Sequence, residues 1–231
     1  MEEGSEMASV FVISDCHGNI DGLNRALRKK KIIDKHGNRQ LARKHKVISI
    51  GDLANCVGDS IDGDIECIKL VGSVIDYYLL GNHEIPYFDP SNKFWGFTWD
   101  PVIQHKLSFL NSEGFIFPSV LAGKTLISHA GYSKTMMSVK MDSLEVHNTL
   151  LDHWNNGDYS YSAFSNIGRA RGGMHHSGGI LWCDFDSEFQ PTKFPQIVGH
   201  TPRGVRMKGN SICIDVGAKD QKSEPFILEV S

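Results

Sequence analysis

Five short polar motifs, each at the end of a run of apolar residues, constrain this chain more than any other feature. Val10-Phe11-Val12-Ile13 leads into Asp15-Cys16-His17-Gly18, and Val47-Ile48-Ser49-Ile50 into Gly51-Asp52. Tyr77-Tyr78-Leu79-Leu80 leads into Gly81-Asn82-His83-Glu84. Leu126-Ile127 precedes Ser128-His129-Ala130-Gly131, and Ile197-Val198 precedes Gly199-His200-Thr201. Apolar runs this short, stopped by glycine or carboxylate, read as buried strands of a covered sheet. Such sheets bind ligands beyond the carboxyl ends of their strands, so the five polar ends are expected at one rim. Asp, His and Asn side chains delivered there make an oxygen-and-nitrogen cage suited to two divalent metal ions.

The 231 residues, 40% of them hydrophobic, suffice for one substantial core, within the range of a single α/β domain. Lys+Arg 24 against Asp+Glu 27 leaves a net charge of -3. That balance supplies no footprint for nucleic acid and no like-charged tail. The basic run Arg28-Lys29-Lys30-Lys31 reads as a solvated helix end. Cys16, Cys56, Cys67, Cys183 and Cys213 are odd in number and form no CxxC pair, which suits a reduced, cytoplasmic protein. No apolar segment reaches the length of a membrane span, and Met1-Glu2-Glu3-Gly4 lacks the regions of a signal peptide. Residues 1–7 are expected to be a disordered terminus before one domain over 8–231.

Along the chain, Asn19 is placed to cap a helix with Ile20, Leu23 and Leu27 on one face. With the strands on either side it forms a βαβ crossover. A second helix is expected over 61–75, with Ile61, Ile65, Ile68 and Ile75 on one stripe, weakened by Gly63 and Gly72. Insertions over roughly 86–113 and 133–174 leave the scaffold just after polar motifs, where long loops shape sites. The first holds Phe94, Trp95, Phe97 and Trp99 as a small core of its own, then a helix through Val102, Leu107 and Leu110. The second carries a helix over 143–154 and a loop rich in Gly, Ser, Arg and His. Further strands are expected at 180–182, 196–198, 212–216 and 226–230. The whole reads as two packed sheets with helices outside. Gly123-Lys124-Thr125 is no phosphate loop, because Pro118 stands where that pattern needs glycine and a strand follows.

Asp15 and His17, one residue apart on a turn, can both face one ion, and a carboxylate with an imidazole suits manganese, iron or zinc. Asp52 has two oxygens and can bridge two ions. The expected sets are Asp15, His17 and Asp52 for one metal, and Asp52, Asn82, His129 and His200 for the other. Manganese is the first choice, with iron, zinc or magnesium as alternatives. Two ions about 3.5–4 Å apart can orient and polarise a phosphoryl group and activate a shared water. Attack by that hydroxide needs no enzyme nucleophile. His83, beside a ligand, is expected to donate a proton to the departing oxygen.

With these residues in view, the chain resembles the calcineurin-like metallophosphoesterases, and within them the phosphoprotein-phosphatase (serine/threonine phosphatase) branch with its bacterial and phage relatives. The resemblance rests on the five motifs, on Pro202 after the last of them, and on Ile214-Asp215-Val216-Gly217-Ala218. It implies a four-layer αββα sandwich of two mixed sheets, a dinuclear site at the strands' carboxyl ends, and phosphoester hydrolysis. It implies the same ligand and proton-donor roles. One departure stands out: where the branch continues Gly-Asp-x-x-Asp-Arg-Gly, this chain reads Gly51-Asp52-Leu53-Ala54-Asn55-Cys56-Val57. The aspartate that orients the catalytic histidine falls on Asn55, and the phosphate-binding arginine falls on Cys56. An amide still accepts a hydrogen bond from His83 but brings no charge. Arg171 and Arg169, in a glycine-flanked loop before the expected strand at 180–182, are the candidates to replace the lost guanidinium.

The expected activity is hydrolysis of a phosphomonoester, in a phosphoprotein or a small phosphoester, by a metal-dependent phosphatase. Alternatives are a symmetrical dinucleoside polyphosphate hydrolase, a phosphodiesterase, and a metal-binding scaffold with impaired catalysis.

Overall fold

In a computed structural model, which describes residues 8–55, 61–136, 140–218 and 223–230, the layering follows from alternation along the strands. The expected disordered segment 1–7, and Cys56 and Val57 of the second motif, lie outside the described residues. The first sheet contains β1 (Val10–Ile13), β2 (Lys46–Ser49), β3 (Tyr77–Leu79) and β4 (Ile116–Phe117) in parallel, with β10 (Ile227–Val230) antiparallel at the edge beside β1. The second is ordered β5 (Val120–Ala122), β6 (Thr125–Ile127), β7 (Gln196–Val198), β9 (Ser211–Cys213), β8 (Arg206–Lys208). Its three central strands are parallel, and β5 and β8 run antiparallel at the edges.

Neighbouring residues on a strand point to opposite faces. Phe11, Ile13, Val47, Tyr78 and Leu126 join one buried cluster with Leu23 and Leu27 of α1 (Ile20–Lys29), Ile103 and Leu107 of α3 (Pro101–Ser112), and Val146 and Leu150 of α4 (Ser143–Asn155). Val12, Ile48, Leu79, Ile127 and Ile197 join a second cluster that contains no helical residue. That cluster is the seam between the sheets, and the expected arrangement of two mixed sheets with helices outside is the one observed. Asn19 caps α1 as expected, accepting from Gly22 N–H at 2.9 Å, and the structure adds a reciprocal capping box of Asp142 with Glu145 on α4.

Some expectations need correction. The second helix, α2 (Asp62–Ile68), stops short, because Gly72 takes a left-handed conformation (φ 83°) and Val71 bridges to Ile75 instead. Residues 180–182 are not a strand. Ile180, Leu181 and Trp182 are buried, but Trp182 and Cys183 both bond back to the Gly179 carbonyl, which makes a buried turn. The aromatic cluster after Pro90 is not a core of its own. Phe94 and Phe97 pack on the main core, whereas Trp95 is 99% exposed. Gly123-Lys124 forms the hairpin turn between β5 and β6.

Candidate metal centre

The parallel register of β1 and β2 sets Ile13 opposite Ser49 and brings the two turns that follow side by side. There the Cys16 and His17 amides both donate to the Asp52 carbonyl, at 3.2 and 2.9 Å, and Gly18 N–H reaches the Leu53 carbonyl at 2.7 Å. Three of the four non-glycine residues with positive φ among those described are His17 (48°), Asp52 (49°) and His200 (68°). L-residues avoid this region, so tertiary contacts must hold these backbones there. Two glycines give the carboxylates room. A Cβ at Gly81 would lie 2.1 Å from Asp52 Oδ1, and one at Gly199 would lie 2.1 Å from Asp15 Oδ1.

Donor atoms gather in two groups that share Asp52. Those of His17, Asp52 and His83 lie within 4.8 Å of one another, as do those of Asp52, His129 and His200. Asp52 Oδ2 is 3.8 Å from His17 Nε2, 3.8 Å from His83 Nε2 and 3.6 Å from His129 Nε2. His129 Nε2 is 3.0 Å from Asn82 Oδ1 and 3.2 Å from His200 Nδ1. Asp15 lies behind the second group, its Oδ2 accepting the His200 N–H at 3.0 Å and 4.0 Å from His129 Nδ1. All six residues named from the sequence are thus brought together. In the first group, however, the third corner is occupied by His83, and Asp15 is set back.

Burial dominates the electrostatics of the donor groups. Burial pushes the Asp15 carboxyl well above its ordinary value, and Asp215 adds to the shift. Burial does the same to Asp52, helped by Glu84 and Asp15. The two inner histidines move the other way. Burial lowers His129 to about 3 and drives His200 down as well, so both imidazoles are neutral at neutral pH. Asp15 Oδ1 and His200 Nε2 are buried with no hydrogen-bond partner among the described residues. Buried polar atoms are rarely left that way. Repelling carboxylates, neutral imidazoles and orphaned donor atoms together fit divalent cations.

The sequence pattern of the calcineurin-like phosphoesterases matches residues 8–218. The chain belongs to that family. Over 130 residues, 52% of this chain, it is 31% identical to an uncharacterized protein of Methanocaldococcus jannaschii, and it spans about half (49%) of that relative's length. Among solved structures it is similar to a cold-active protein-tyrosine phosphatase of a psychrophilic Shewanella species, with TM-score 0.64, 18% identity, and 98% of this chain and 76% of that one covered. It is also similar to a Saccharomyces cerevisiae protein serine/threonine phosphatase that resembles human PP5 (TM-score 0.51, 17% identity, 93% and 69% covered). A putative diadenosine tetraphosphatase matches with TM-score 0.50 and 16% identity, over 98% and 94% of the chains. At these identities the structural likenesses concern the fold.

Around the donor groups, the hydrogen bonding differs from the expected pattern in one respect. The sequence suggests the Asn55 amide as acceptor for His83, whereas His83 Nδ1 bonds the Asn55 main-chain carbonyl. Peptide geometry puts that carbonyl there whatever the side chain. Phe94 packs against the His83 ring in a tilted arrangement, with the ring centres 4.7 Å apart. Arg171 is half-buried beside His200, its Nη2 donating to the His200 carbonyl at 3.0 Å and Thr201 Oγ1 at 3.2 Å and pairing with Asp184 at 3.3 Å. Its charge is among those that depress His129 and His200, although burial is the larger cause for each. Arg169 is exposed.

The sequence names Glu84 as part of a motif but gives it no task. Its carboxylate accepts the amides of Asp52 (3.0 Å), Gly81 (3.1 Å) and Ala54 (3.2 Å), tying the loop after β2 to the loop after β3. Burial pushes it up to about 7 against those bonds.

Proposed function

We propose that this chain is a phosphomonoesterase that depends on two divalent cations, manganese by preference, and acts on phosphorylated protein or a small phosphoester. The observation that carries this reading is the pair of donor groups sharing one Asp52 oxygen, assembled from the ends of five strands in two sheets. The first cation would be held by Asp52 and His17, with Asp15 and His83 alongside; the second by Asp52, Asn82, His129 and His200. When bound, such a pair supplies charge to the phosphoryl oxygens and lowers the pKa of water toward neutrality.

The chain's own groups do the rest. Neutral His129 and His200 offer lone pairs without prior loss of a proton. His83, with Nδ1 on the Asn55 carbonyl, presents Nε2 to the site and serves as proton donor to the departing oxygen. A neutral carbonyl supports the imidazolium less than a carboxylate would, which favours substrates with good leaving groups. Arg171 stands in for the missing guanidinium at position 56 and holds the phosphate beside His200, with Arg169 on the same loop facing solvent.

The test loads the protein with manganese and compares mono- and bis-(nitrophenyl) phosphate, a phosphopeptide and diadenosine tetraphosphate, with a chelator control. Chelator-sensitive turnover of the monoester and phosphopeptide is expected. Preference for the diester or the dinucleotide would overturn the monoesterase reading. Two bound metals with turnover of none would make the protein a scaffold.

A further inference from the structure

The loop over residues 168–178, which carries Arg171, has no buried apolar side chain between Arg169 and His176 to fix its place. One carboxylate from outside the loop ties its two arms together. Glu188 Oε1 accepts the Ala170 N–H at 2.8 Å, and Oε2 accepts Gly178 N–H at 3.0 Å. The two arms of the loop therefore close on a single buried side chain. Gly168 leaves that carboxylate room, since a Cβ there would lie 2.1 Å from Glu188 Oε2. The same Oε2 accepts the Asp184 N–H at 3.3 Å, and Asp184 is the ion-pair partner of Arg171. Asp184 Oδ1 is in turn held by the Ser187 amide and hydroxyl at 2.9 and 2.8 Å. Hydrogen bonds from amides to an ionised acceptor are among the stronger ones. One group thus sets both the backbone next to Arg171 and the counter-ion that aims its guanidinium.

We propose that Glu188 is a positioning residue for phosphate capture: it acts through Arg171 and sets affinity for the phosphoryl group rather than the rate of the chemical step. This rests on the reading above in which Arg171 binds phosphate. Glu188→Gln keeps the shape but loses the charge and turns one acceptor into a donor facing an amide. Gly168→Ala crowds the carboxylate without removing it, and serves as a second route should the first variant fold poorly.

The experiment measures inorganic phosphate affinity by calorimetry on the manganese-loaded protein, KM and kcat for nitrophenyl phosphate, and metal content. The variants are Glu188→Gln, Gly168→Ala, Arg171→Ala and the Glu188→Gln/Arg171→Ala double. Either Glu188→Gln or Gly168→Ala should weaken phosphate binding and raise KM by about tenfold, with kcat within about twofold and metal content unchanged. The double variant should bind phosphate no worse than Arg171→Ala. A double variant that loses the full additive effect, or a folded Glu188→Gln with native phosphate affinity beside a weakened Arg171→Ala, overturns the inference alone. Native affinity in Arg171→Ala would overturn the phosphate-binding reading of Arg171, and this inference with it.

Discussion

Asp52 lends one oxygen to both donor groups, so its loss should be felt twice. Asp52→Asn is expected to abolish turnover and to lower metal content at both positions; elemental analysis of the purified variant checks this. His83 should behave differently. Its replacement by Asn is expected to lower kcat by about 10²–10⁴-fold with two metals retained. A variant stripped of one metal would instead mark His83 as a ligand beside His17. Asn55→Ala should keep the main-chain contact to His83, because any residue supplies that carbonyl. Titration of the metal-free site has a definite sign. Below pH 6.5 the lowered histidines lose stability as pH falls, while the raised carboxylates lose it as pH rises, so the two sets oppose. Above 6.5 only the carboxylates act, and Glu84 titrates near 7. The metal-free Tm should therefore fall as pH is raised from 6.5 to about 8 in a calorimetric scan, and loading with manganese should remove most of that slope.

At the level of elements, the chain ends of the strands decide the site as much as the ligands do. Gly199→Ala would press a methyl onto Asp15 Oδ1 and Ile50, whose Cγ2 would be 3.1 Å away. The expected outcome is a folded protein with at least tenfold weaker metal binding, read by calorimetry. Helix α4 depends on its capping box, and Asp142→Ala should cost about 1 kcal/mol in urea unfolding. Most of this layer was legible in the sequence, because an apolar run ended by a glycine-carboxylate or glycine-histidine pair leaves few alternatives. What stayed hidden has physical reasons. β4, β5 and β8 are two or three residues long, too short for any period to show. The buried turn at 180–182 has the same unbroken apolar composition as a covered strand, and only its bonds to Gly179 distinguish them. The apolar stripe through Ile75 continues past the helix because Ile75 is buried by other means.

Taken as a molecule, the site bridges two sheets. Asp15, His17, Asp52, Asn82 and His83 follow strands of the first sheet, and His129 and His200 follow strands of the second. Cations held between them, as proposed, would cross-link the seam that otherwise rests on Val12, Ile48, Leu79, Ile127 and Ile197. Binding to the folded state alone adds about 2.7 kcal/mol at a hundredfold excess over Kd. For a chain of this size, Tm should drop by roughly 5–10 °C on chelation. A Tm indifferent to chelator would mean that the sheets do not share the ions. The candidate ligands were legible in the sequence because each follows a strand, whereas the tasks of Glu84 and Glu188 were not. Their partners are backbone amides, which carry no side-chain signature.

His17, Asp52 and His200 share a backbone twist that glycine adopts freely and that costs other residues about 1–2 kcal/mol apiece. Directed evolution of this chain for heat tolerance alone would therefore be drawn to glycine at these three places, since each exchange relieves strain. The survivors would be sturdier proteins that had traded away their chemistry. Any such campaign needs a turnover screen beside the thermal one.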